Sequence, residues 1–244
     1  MSRISVELVP RHKEAFISEL KLVKDTFSCV DTINIPDIVR YDLRSLEACE
    51  LVKPLFNCAI PHLRAGSIHR EKPISFKSFL TEFGINEVLL VLGDHRDENI
   101  LGCTTIELIR KFKIDLPQVK VYAGIDPYRS SFEAEYAYIQ EKISAGADGF
   151  FTQPFFDLNL LETYAKKLSN LKIFWGVSPV LTRRAQNYWE TKNKVVFPKG
   201  FVPEMSWNRK FALSVLDFSK ASNTHIYFMP IKADLKEYLE GIIF

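Results

Sequence analysis

Short apolar runs alternate with amphipathic stretches from one end of the chain to the other. The runs are Ile4–Val9, Cys29–Ile35, Cys58–Leu63, Val88–Leu92, Val119–Ile125, Gly149–Gln153, Lys172–Val177 and Thr224–Met229. They are apolar at both parities and often β-branched or aromatic, which is the pattern of parallel strands buried on both faces. Between them apolar positions recur at helical spacing. Leu161, Tyr164, Ala165 and Leu168 share one face of a helix that Asp157 is placed to cap. A second helix is expected over Phe132–Ala145, with Gly146 as its C-terminal stop, and a third over Trp207–Phe218.

Eight strands in 244 residues give about 30 residues per strand-and-helix unit, close to a βαβ repeat. A doubly wound open sheet more often has five or six strands and a glycine-rich turn after the first. Here the first strand runs into Leu8-Val9-Pro10, and no G-x-G-x-x-G occurs. The pattern therefore predicts an α/β fold, a single (β/α)8 TIM barrel. No linker or low-complexity tract divides residues 1–244, so they are read as one domain. After a helix expected over Leu181–Glu190, the long stretch Thr191–Met205 contains Pro198, Gly200 and Pro203 and is read as a structural connection.

Composition narrows the partners. With 32 basic and 30 acidic residues the net charge is +2, which gives no electrostatic pull toward nucleic acid or an anionic membrane. No apolar stretch reaches the roughly 18 residues of a membrane-spanning helix. Met1–Pro10 carries Arg3 and Glu7 and does not read as a signal peptide. Cys29, Cys49, Cys58 and Cys103 form no C-x-x-C pair and are expected as small core hydrophobes in a reducing, cytoplasmic setting.

In such barrels the chemistry gathers where the strands end. Those ends offer Glu7, then Asn34 and Asp37, His62 and Arg64, Gly93-Asp94-His95, Asp126-Pro127-Tyr128-Arg129, Thr152-Gln153 and Ser178. A carboxylate within an apolar strand is costly to bury unpaired, so Glu7 either pairs with an interior base or transfers protons. His62 is equally readable as a part-buried core histidine, and Asp94 as a turn residue. His95 and Asp97 do not combine with His62 at metal-ligand spacing, so no metal is expected. Glu7 with Asp94 also makes a carboxylate pair of the kind hydrolases use.

The same residues carry a family resemblance. Ser5-Val6-Glu7-Leu8-Val9-Pro10, Ile60-Pro61-His62-Leu63, Leu92-Gly93-Asp94 and Gly176-Val177-Ser178-Pro179-Val180 occur in order along the chain. The longest stretch runs from Lys142-Ile143-Ser144-Ala145-Gly146-Ala147-Asp148 to Thr152-Gln153-Pro154-Phe155-Phe156-Asp157. Together they resemble the methylenetetrahydrofolate reductase family, whose catalytic domain is a (β/α)8 barrel. The resemblance implies NAD(P)H-dependent reduction of 5,10-methylenetetrahydrofolate to 5-methyltetrahydrofolate through FAD. It makes Glu7 the general acid and Asp94 an electrostatic stabiliser facing pterin and flavin. Gln153 becomes a pterin-binding residue, and His62, Gly93, Asp94, Tyr128 and Lys142 become cofactor-binding positions.

Several flavin positions are altered. Leu92 stands where the family has arginine, and Asp126–Glu133 is shorter than the family's segment and lacks its histidine. Pro36 replaces a threonine, and Ile226-Tyr227-Phe228-Met229-Pro230-Ile231 loses an arginine, with Lys232 nearby. A flavin-free or non-catalytic folate-binding barrel serving a methyl-transfer partner is therefore the alternative expectation. The resemblance also leaves room for a homo-oligomer and for a methyltransferase as partner.

Overall fold

The computed structural model of the chain describes residues 2–93 and 101–244. Its strands are β1 (Ile4–Glu7), β2 (Thr32–Ile35), β3 (Cys58–Arg64), β4 (Glu87–Val91), β5 (Lys120–Ile125), β6 (Gly149–Pro154), β7 (Ile173–Val177) and β8 (His225–Phe228). They form a closed barrel in sequence order, every pair parallel, and β8 returns to β1 with Tyr227 level with Ser5. The helices are α1 (Lys13–Thr26), α2 (Ser45–Val52), α3 (Lys77–Glu82), α4 (Thr105–Asp115), α5 (Phe132–Ala145), α6 (Leu158–Lys167), α7 (Arg183–Lys192), α8 (Met205–Ala221) and α9 (Leu235–Leu239). The (β/α)8 TIM barrel predicted by the apolar pattern is the observed fold.

All eight expected strands are present, most with shifted ends. Cys29–Asp31 does not join β2. Val30 N bonds the Phe27 carbonyl to turn the chain after α1, Asp31 then bonds Ile4 and Cys58 at the barrel's edge, and Thr32–Ile35 forms the strand proper. Helix α5 has the predicted bounds because Gly146 takes the left-handed conformation, φ 107°, that ends it. The Asp157 carboxylate caps α6 by accepting from Asn159 N at 2.8 Å. The connection after α7 is pinned by aromatic rings. Phe197 and Phe201 stack at 4.1 Å between centroids and pack on Phe156, just past β6, with Trp207 edge-on to Phe201. Of the cysteines, Cys49 and Cys103 are buried as expected. Cys29 is exposed, and half-buried Cys58 donates to Glu87 rather than filling apolar space.

The barrel interior has an aromatic middle and an ionic lower end. Phe151 stacks on Phe174 at 4.0 Å, while Tyr122 and Tyr227 meet them edge-on. At the N-terminal end Arg3 crosses from the start of β1 to Glu87, its Nη1 donating at 2.8 and 3.1 Å to the two carboxylate oxygens. Arg3 also donates to Thr32 Oγ1 and lies over the Phe174 ring. Burial would raise the Glu87 carboxyl, but Arg3, with Cys58 and Lys172, holds it below the usual carboxylate range. A depressed acid stabilises the fold above its unfolded value and ceases to as pH falls through its folded value. Glu87→Ala is expected to cost about 3–5 kcal/mol at neutral pH by stranding Arg3. Urea unfolding should show that deficit shrinking in acid below about pH 4; a deficit independent of pH contradicts the assignment.

Candidate active site

Side chains alternate inward and outward along each strand, and the inward set decides what reaches the mouth. Above the aromatic middle, Glu7 of β1 and His62 of β3 follow the inward parity of Ser5 and Ile60, while Gln153 sits in an irregularity of β6 between Phe151 and Pro154. Glycine holds the same parity at Gly124 of β5 and Gly176 of β7. A side chain added at Gly124 would meet nothing within 4 Å, whereas one at Gly176 would collide with the Thr152 carbonyl at 2.5 Å. The mouth therefore has open room on the β5 side, next to Gln153, whose side chain is exposed.

Glu7 is held from the strand that closes the barrel. The Tyr227 hydroxyl donates a short hydrogen bond to Glu7 Oε2. Burial pushes the Glu7 carboxyl up to about 7, and the bond from Tyr227 opposes that rise. Burial and the adjacent carboxylate keep the Tyr227 hydroxyl protonated, its pKa well above the usual tyrosine range. Glu7 thus sits where a group can both hold and release a proton near neutrality. Among the described residues no interior base pairs with it; the arginine below it, Arg3, is committed to Glu87 at the other end.

His62 is buried, and burial pulls its imidazole down to about 3, with Asp37 opposing, so it is neutral at physiological pH. Its Nε2 lies 3.3 Å from Asn34 Oδ1, and Asn34 Nδ2 donates to Ser5 Oγ at 2.5 Å. A neutral polar chain therefore links β3, β2 and β1 beside Glu7, with Asn34 in register with Glu7. Beside His62 a cavity of about 920 Å³ opens between α2 and α3, lined by Asp37, Arg44, Arg64, Phe76 and Phe79 among others. Asp37 is held there by Arg44 through bonds of 2.6 and 2.8 Å.

Two further cofactor positions named by the resemblance, Lys142 and Tyr128, are packed into the protein. Lys142 of α5 is 2% exposed. Its ammonium donates to the Gly124 carbonyl at 2.6 Å and lies 3.9 Å from fully buried Glu135. Burial draws it down to about 8, Glu135 opposing. Glu135 also accepts from Arg129 and from Asp126 N, which seals the turn after β5. Tyr128 packs against the cluster of Phe156, Val180, Val195 and Phe201, its hydroxyl buried beside the Phe156 backbone. Gly93 has φ 88°, and the Arg64 side chain lies over it, its Nε 2.8 Å from where a Cβ would stand. Leu92 is 44% exposed. Asp94 and His95 fall outside the described residues.

Sequence reasoning named Glu7, His62 and Gln153 at the strand ends but not Tyr227, which bonds Glu7, or Glu135, which lies beside Lys142. Tyr227 was visible as an inward polar residue on the last strand, but only barrel closure sets it against Glu7. Among the described residues no His, Cys, Asp and Glu group could hold a metal ion, and no helix is long and apolar enough to cross a membrane.

A family model for methylenetetrahydrofolate reductase matches residues 42–207, more than half of the chain. The chain belongs to the methylenetetrahydrofolate reductase family. That membership places it among folate-related oxidoreductases of one-carbon metabolism, a family that generally binds FAD. The match includes His62, Gly93, Tyr128, Lys142 and Gln153; Glu7 and Tyr227 lie outside it and are brought in by barrel closure. Among solved structures the chain is similar to a 2,3-dimethylmalate lyase of the PEP mutase/isocitrate lyase superfamily, with a TM-score of 0.62, 11% identity and coverage of 95% of this chain and 75% of that one. It is also similar to the dihydropteroate synthase of Thermus thermophilus, with a TM-score of 0.51, 13% identity and coverage of 99% and 91%. At such identities the likeness is one of fold.

The Tyr227 bond favours the ionised form of Glu7, so its removal should matter most where Glu7 is charged. Tyr227→Phe is expected to lose about 1.5–3 kcal/mol of stability at pH 8 and distinctly less at pH 5. Urea midpoints at the two pH values check this; equal losses contradict it.

Proposed function

We propose that the chain is an NAD(P)H-dependent reductase that converts 5,10-methylenetetrahydrofolate to 5-methyltetrahydrofolate. The observation that carries this reading is a half-buried carboxyl at the end of β1, held by the Tyr227 hydroxyl and pushed upward by desolvation, within a chain of this family. Glu7 protonates the nitrogen of the folate's five-membered ring whose bond to the methylene carbon breaks, and the ring opens to an iminium ion. Hydride then reaches the iminium carbon, which becomes the methyl group. Gln153 offers a donor and an acceptor to the amide-like edge of the pterin. Asp94, by the family's pattern, stabilises the cation.

FAD, which the family generally binds, does not fit the residues as they stand. The Lys142 ammonium is committed to Gly124, the Tyr128 hydroxyl is buried, Arg64 covers Gly93, and Leu92 offers no guanidinium. His62 lines the cavity between α2 and α3. The same departures favour, as a second reading, a barrel that binds folate for a methyl-transfer partner without turning it over; it predicts folate binding with no NAD(P)H oxidation.

Glu7→Gln is expected to keep the fold and lose about 10²–10⁴-fold in turnover. In the unmodified protein kcat/KM should fall as pH rises above about 7, because the acid must be protonated. Undiminished turnover in the variant contradicts the mechanism. Gly124→Val should narrow the mouth and raise KM for the folate at least about tenfold, the value of roughly 1.4 kcal/mol of lost binding. Its thermal midpoint should be unchanged or higher, since valine suits a strand better than glycine. An unchanged KM would place the substrate elsewhere.

A further inference from the structure

We infer that hydride passes directly from the pyridine dinucleotide to the folate iminium carbon in a ternary complex, with no flavin between them. The inference rests on the reductase reading above and concerns the carrier of the electrons. Its basis is the region around α5, the family's cofactor side. Lys142 would have to leave the Gly124 carbonyl to reach a flavin phosphate, and doing so would part it from fully buried Glu135. Separating buried charges that neutralise one another is among the costlier rearrangements in a folded protein. The other cation at that turn, Arg129, is bound to the same Glu135. Tyr128 packs against the cluster of Phe156, Val180, Val195 and Phe201, and the Arg64 side chain occupies the space over Gly93. These side chains fill the flavin positions with contacts made within the protein.

Two open spaces lie at this end of the barrel: one over Gly124, and the 920 Å³ cavity at His62 between α2 and α3. A cavity of that size is at the upper end of what small-molecule and cofactor sites offer. The chemistry balances without a carrier. One hydride, two electrons and a proton, leaves C4 of the dihydronicotinamide and bonds to the iminium carbon. The dinucleotide is oxidised and the methylene group is reduced to methyl. The proton that opens the ring comes from Glu7, which is recharged from solvent.

The test uses the full-length protein and two readouts. Titration with FAD, followed by flavin fluorescence, should show no saturable binding in the micromolar range, and the protein as isolated should lack the visible flavin band. Turnover is then run in ordinary water with dinucleotide deuterated on the transferred face of nicotinamide C4, with and without added FAD. The expected product carries one deuterium in its methyl group at the same rate in both cases. A reduced flavin holds the hydride as an N5–H that exchanges with water, so washed-out label would overturn the inference. Stoichiometric FAD binding, or oxidation that requires FAD, would overturn it while leaving the reductase reading intact. No oxidation under either condition would overturn both.

Discussion

Closure of β8 onto β1 is the constraint on which the site depends. It pairs strands from opposite ends of the chain and brings Tyr227 against Glu7, 220 residues away in sequence. Without that pairing Glu7 would be an ordinary exposed acid at the end of a first strand. With it, the half-buried carboxyl is hydrogen-bonded by Tyr227, and desolvation pushes it up to about 7. The aromatic middle of the barrel contributes to the same end. Phe151 and Tyr227 meet edge-on beneath the mouth, so apolar rings lie immediately below the inward carboxyl.

The two ends of the barrel use charge in opposite ways. At the lower end Arg3 and Glu87 neutralise each other and tie β1 to β4 across the interior. At the mouth Glu7 faces a neutral tyrosine, and His62, Asn34 and Ser5 form an uncharged chain. An interior base beside Glu7 would have held it ionised and useless as an acid. Placing the cation at the bottom leaves the top free for proton transfer. Stability and chemistry are thereby assigned to separate layers.

Much of the fold was legible because strands buried on both faces read as apolar runs, and eight such runs allow few architectures. Glu7, His62 and Gln153 were legible for a related reason: a polar residue where an apolar run ends points to the mouth. The partnerships were not. Tyr227 belongs to an apolar run, and its role depends on a pairing between the two ends of the chain. Glu135 and Lys142 sit on a helix where charge ordinarily means solvent, yet both are buried against the turn after β5. Family resemblance named Lys142 as a cofactor residue; only packing reveals that its ammonium has another partner. Cys29–Asp31 shows the same limit locally, an apolar run diverted into a turn by backbone bonds.

The most direct measurement is the titration of Glu7 itself. Carboxyl-labelled glutamate, followed by carbon NMR across the pH range and assigned by comparison with Glu7→Gln, reads its protonation without substrate or cofactor. The account predicts a midpoint near 7, well above the ordinary glutamate value. A midpoint at that ordinary value of about 4.3 would contradict it, because an acid already ionised cannot open the ring.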